Sequence, residues 1–75
     1  MRKRSVTIDG HRTSISLEDA FWVELSAIAA ARNLSLNALV AEIDRLRVAQ
    51  AMGNLSSALR LHVLAELKAR TINRA

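Results

Sequence analysis

The dipeptide Asp9-Gly10 constrains this chain more than any other feature, because it sits between two alternating runs, Ser5 to Ile8 and His11 to Leu17. Two-residue hairpin turns need positive φ at both central positions, which Asp followed by Gly tolerates well. With that loop, Ile8 faces His11, Thr7 faces Arg12, Val6 faces Thr13 and Ser5 faces Ser14. Facing residues share a sheet face. Val6, Ile8, Thr13, Ile15 and Leu17 therefore form an apolar side, while Ser5, Thr7, Arg12, Ser14 and Ser16 form a polar, basic one.

Three helical segments follow. Ser16-Leu17-Glu18-Asp19 reads as a helix start, with the Ser16 hydroxyl as cap and acidic residues in the first turn. The stripe of Phe21, Leu25, Ile28 and Ala29 gives that helix one buried face, and Asn33 ends it as a left-handed cap. Trp22 points about 100° away from Phe21 and is expected to pack under the last helix. Ser35 caps a second helix whose broad apolar face is supplied by Leu36, Leu39, Val40, Ile43, Leu46 and Arg47. Gly53-Asn54 breaks the chain, and Asn54 or Ser56 caps a third helix that is apolar around much of its circumference. Such a helix must be covered on more than one side. The expected layout is a basic arm over 1–4, a hairpin over 5–17, helices over 18–32, 36–51 and 55–69, and a tail over 70–75.

At 75 residues the chain makes one domain whose own core is marginal, since a domain this small buries only about 60% of its unfolded surface. There is no Cys to form a disulfide, and His11 and His62 lie far apart without clustered ligands, so no metal is expected. A partner subunit remains as the supplement. The formal charge of +4 favours a polyanion, nucleic acid or an anionic membrane surface, although basic solvated tails give the same excess. No apolar run is long enough to span a membrane, and the opening Met-Arg-Lys-Arg leads into a strand pattern, which points to the cytoplasm.

The segment Arg12-Thr13-Ser14-Ile15-Ser16-Leu17, followed by Phe21, Leu25, Ile28 and Ala29 and then by Asn33-Leu34-Ser35-Leu36-Asn37-Ala38-Leu39-Val40, resembles the ribbon-helix-helix repressors. The resemblance covers residues 12 to about 47. With its third helix, the whole chain looks like a bacterial single-domain subfamily. What the resemblance implies is a mainly α fold with a short N-terminal β-ribbon, forming a homodimer in which two strands pair antiparallel and enter the major groove of double-stranded DNA. The groove-facing residues would be Arg12, Ser14 and Ser16, of which Arg12 alone is suited to bidentate recognition of guanine.

The start of the second helix, at Ser35, Leu36 and Asn37, offers unpaired amides and a positive dipole to a phosphate. Arg2, Lys3 and Arg4 would reach further phosphates, either because the outer strands splay along the backbone or because the arm detaches on binding. Until then, Val6 to Ile8 is expected to flank or mask the reading strand. The function expected is that of a transcriptional regulator, acting as a repressor by occupying a two-fold symmetric operator as a dimer or pair of dimers. The alternative is a protein-interaction module such as an antitoxin, against which counts the short segment after the third helix. No catalytic arrangement or cofactor motif is present: the acidic residues sit at helix ends and exposed faces, and there is no Gly-rich phosphate loop. His11 reads as a solvated turn residue and His62 as a satisfied edge of the core.

Overall fold

A computed structural model describes residues 1–73 and has the order β1 (Arg2–Ile8), β2 (His11–Leu17), α1 (Asp19–Ala31), α2 (Leu36–Ala49) and α3 (Leu55–Asn73). The turn has Asp9 at φ 50° and Gly10 at φ 80°, and the antiparallel register pairs Ile8 with His11, Thr7 with Arg12, Val6 with Thr13 and Ser5 with Ser14. That is the register required by a two-residue loop. Pairing continues to Arg4 with Ile15, Lys3 with Ser16 and Arg2 with Leu17, so the residues expected as a free arm are strand.

One side of the hairpin lies on the helices. Val6, Ile8, Ile15 and Leu17 are buried with Trp22, Leu25, Ile28 and Ala29 of α1, with Leu39, Val40 and Ile43 of α2, and with Ala58, Leu59 and Val63 of α3. Thr13 has the same orientation but stays exposed, beside an open hollow lined by Asp44, Arg47 and Asn54 at the turn end of the sheet.

Several local expectations need correction. The residue capping α1 is Glu18, whose side chain makes no capping bond, and Ser16 instead lies within β2 opposite Lys3. Burying Leu17 on the core requires the strand to run one residue further than the Ser16 cap allows. Trp22 and Phe21 exchange roles: Trp22 is buried and its Nε1 donates to the Arg2 carbonyl at 3.1 Å, whereas Phe21 is the aromatic that meets α3, with the Arg60 guanidinium 5.9 Å from its ring centre.

The helix ends follow one rule. In α1, Asn33 sits at φ 57° while Leu34 N–H donates to Ala29 C=O and Asn33 N–H to Ala30 C=O. In α2, Ala51 sits at φ 51° while Met52 N–H donates to Arg47 C=O and Ala51 N–H to Val48 C=O. Both are the paired bonds of a left-handed C-terminal cap. It is thus Ala51, not Gly53, that stops α2. Ser35 caps α2 by accepting from Ala38 N–H, and Asn54 caps α3 by accepting from Ser57 N–H. Ser56 is thereby freed to donate to the Ser16 carbonyl at 3.1 Å. Helix α3 continues four residues beyond the expected Ala69 to Asn73, and the last two residues of the expected tail lie outside the described residues.

Candidate nucleic-acid interface

The face of the hairpin turned away from the helices is set by strand parity. On β2 it carries Arg12, Ser14 and Ser16; on β1 it carries Lys3, Ser5 and Thr7, each opposite one of them. All are exposed except Ser16, which is half-buried beside α3. The face is therefore a row of hydroxyls with one cation at each end, Arg12 by the turn and Lys3 by the chain start. The two stand four strand positions apart, about 14 Å along the sheet.

Arg2 and Arg4 point the other way. The Arg2 guanidinium pairs with Asp19 at 3.1 Å, and that of Arg4 lies 5.5 Å above the centre of the Trp22 ring. Together with the Trp22 bond to the Arg2 carbonyl, these contacts fasten the start of β1 to α1. The three basic residues that look alike in sequence thus divide into one on the open face, Lys3, and two that hold the strand down.

The edges of the hairpin differ as well. In a hairpin closed by a two-residue loop, Thr7, Ser5 and Lys3 of β1 and Arg12, Ser14 and Ser16 of β2 turn their N–H and C=O groups outward. On β1 the start of α2 lies alongside, and the Asn37 carboxamide accepts from Thr7 N–H at 2.8 Å and donates to Thr7 C=O at 2.7 Å. On β2 the Ser16 carbonyl is taken by Ser56, while no hydrogen bond among the described residues reaches the outward groups of Arg12 and Ser14. Strand β1 therefore flanks β2 on one edge and leaves its other edge open.

Around the start of α2 the amides of Leu36 and Asn37 have no partner among the described residues, and the Ser35 hydroxyl, although accepting from Ala38 N–H, keeps its proton to donate. The ends of the helices are tied by exposed ion pairs. Arg32 binds Glu42 through two bonds of 2.6 and 3.0 Å, holding the Glu42 carboxyl below its usual pKa, and the Arg60 bond to Glu18 at 2.9 Å does the same for Glu18. Arg47 spans Asp44 at 2.8 Å and the Gly53 carbonyl at 3.2 Å, which fixes the loop into α3.

His11 is exposed at the start of β2, opposite Ile8. His62 is not the satisfied core edge expected of it: its Nε2 is buried without a hydrogen-bond partner, 3.9 Å from Glu66. No group of three or more potential metal-binding side chains occurs among the described residues. Leu46, Leu61, Leu64 and Val48 are large apolar residues left exposed on α2 and α3.

A basic, hydroxyl-rich two-stranded ribbon standing on a helical base, with an open strand edge, defines a small ribbon-and-helix protein. A model of the ribbon-helix-helix domain matches residues 1–67, and the chain belongs to that family. The match extends beyond the segment from 12 to 47 on which the resemblance rests, taking in β1 and most of α3. None of the curated proteins and none of the solved structures compared with the chain matches it. Members of this family are typically DNA-binding transcription regulators or antitoxins, and they generally dimerise.

Proposed function

We propose that this protein is a sequence-specific DNA-binding transcriptional regulator, acting as a homodimer whose two β2 strands pair through their open edges and enter the major groove. The observation that carries this reading is the outer face of the hairpin, hydroxyls bounded by Lys3 and Arg12, beside the unpaired backbone of Arg12 and Ser14. Pairing two such edges satisfies those groups and brings two copies of Arg12, Ser14 and Ser16 together. The exposed leucines of α2 and α3 supply apolar surface that a second copy can cover.

The four-stranded sheet that results fits DNA without losing β1. Strands lie about 4.8 Å apart, so the outer pair are about 14 Å apart, against a groove about 12 Å wide. The inner pair enters and the outer pair rides above the phosphates on either wall. Lys3 then meets phosphate, and detachment of the arm is unnecessary. Detachment would also expose Val6 and Ile8 and break the contacts of Trp22 with Arg2 and Arg4. Ser35 and the amides of Leu36 and Asn37 take a further phosphate. Arg12 supplies the main base discrimination, and repression is steric, through occupation of a symmetric operator.

Selection of bound duplexes from a random pool tests this reading, because it returns site, symmetry and half-site spacing together. A two-fold symmetric site is expected, and Arg12→Ala should lose preference among sequences more than it loses binding. Retained preference in that variant would remove the ribbon as the reading element. Sedimentation of a monomer at micromolar concentration would remove the dimer. The leucine row of α3 favours a second reading, in which the protein covers a partner protein with that face. Absence of any selected sequence would leave this one standing.

A further inference from the structure

The Asn37 side chain does more than its place in the first turn of α2 requires. Helix α2 is already capped by Ser35, which accepts from Ala38 N–H at 3.0 Å. The Asn37 carboxamide reaches across 30 residues of sequence instead, with Oδ1 accepting from Thr7 N–H at 2.8 Å and Nδ2 donating to Thr7 C=O at 2.7 Å. One donor and one acceptor replace a neighbouring strand for a single residue. Among the described residues these are the only side-chain hydrogen bonds between α2 and the hairpin.

The place of the clamp matters. Thr7 is the cross-strand partner of Arg12, and Asn37 follows directly on Leu36 at the helix start. The clamp therefore joins the residue opposite the main reading side chain to the element that offers amides to phosphate. Without it, hairpin and helix start remain linked by apolar packing alone at this end of the sheet, where Thr13 is already uncovered. Apolar packing is non-directional, whereas two opposed hydrogen bonds set angle and distance.

We infer that Asn37 is a positioning residue for DNA recognition, holding the reading sheet at a fixed height and angle over the helix start that grips the backbone. The inference rests on the DNA-binding reading above. A direct phosphate contact by the same carboxamide would weaken binding to all duplexes alike, whereas loss of positioning weakens only the duplex whose bases are being read.

The test uses the full chain, a duplex chosen by the wild type from a random pool, and a scrambled duplex of equal length. Affinities for both are measured at a temperature where circular dichroism shows every variant folded. Asn37→Ala should lower the ratio of the two affinities about tenfold, the scale of one to two net hydrogen bonds, and leave the salt dependence unchanged. Thr7→Pro removes the amide donor from the other side and should lower the ratio further than Thr7→Ala, which loses the same hydroxyl but keeps the clamp; if Asn37→Ala fails to fold, the difference between the two Thr7 variants decides. Equal weakening on both duplexes, or a ratio indifferent to Asn37→Ala and Thr7→Pro, overturns the inference and leaves DNA binding intact. A wild type that prefers no duplex removes the DNA reading and the inference with it.

Discussion

Lys3 and Arg4 are adjacent in sequence, equally basic and both exposed, yet they should behave differently on DNA. Lys3 lies on the open face opposite Ser16, whereas Arg4 lies on the other face above Trp22. Each neutralised phosphate contributes about −0.9 to the slope of log affinity against log salt. A dimer presents two copies of Lys3, so Lys3→Ala should make the slope shallower by about 1.8. Between about 50 and 200 mM salt, the wild type would then lose roughly tenfold more affinity than the variant. Arg4→Ala should leave the slope close to that of the wild type and instead shift Trp22 emission, with a stability cost of about 0.5–1 kcal/mol for the lost cation–π contact. Fluorescence anisotropy of a labelled duplex over a salt series reads both slopes. Equal loss of slope in the two variants would mean that the start of β1 peels from Trp22 on DNA, and an unchanged slope in Lys3→Ala would mean that the outer strands do not ride the groove walls.

Three further outcomes concern the scaffold. Leu59 is fully buried where α3 meets the rest of the core, and Leu59→Ala should cost about 2–5 kcal/mol in urea unfolding, with loss of dimer if the core is shared. Ala51 holds a left-handed backbone at φ 51° that disfavours a Cβ, so Ala51→Gly should stabilise the fold by about 1 kcal/mol, and a destabilised variant would refute the strain. The carboxyls of Glu18 and Glu42 lie below the usual carboxylate range, chiefly through their hydrogen bonds to Arg60 and Arg32. A depressed carboxylate pKa contributes stability that is present above the unfolded value and lost as pH falls through the folded one. Thermal midpoints should therefore decline below about pH 4.5, by a small amount because both pairs are exposed, and Glu42→Gln should flatten part of that decline.

What could be read from the residues depended on whether a local rule acted alone. The register of the hairpin follows from Asp9-Gly10, and the caps at Asn33, Ser35 and Asn54 follow from side chains that suit only such positions. The polar face of β2 followed from the same register, and with it Arg12, Ser14 and Ser16. The end of α2 near residue 51 is legible, but the left-handed backbone of Ala51 that makes it is not, because Ala carries no signal for that conformation and Gly53 draws attention to itself two residues later. The exchange of Phe21 and Trp22 was hidden too, since helical periodicity assigns an angle between two side chains without saying which neighbour each one meets.

The basic start of the chain shows the limit most clearly. Met-Arg-Lys-Arg reads as a charge cluster, and a cluster has no faces. Once β2 is long enough to bury Leu17, its partner must extend to Arg2, and the pleat then sends Arg2 and Arg4 to one side and Lys3 to the other. Burying the Trp22 ring, with its Nε1 on the Arg2 carbonyl, anchors that extension. A core residue fifteen positions away in β2 thus decides which of three like charges stands on the open face. That dependence runs through long-range pairing, so composition alone assigns the charge to the segment, and only the sheet assigns it to a residue.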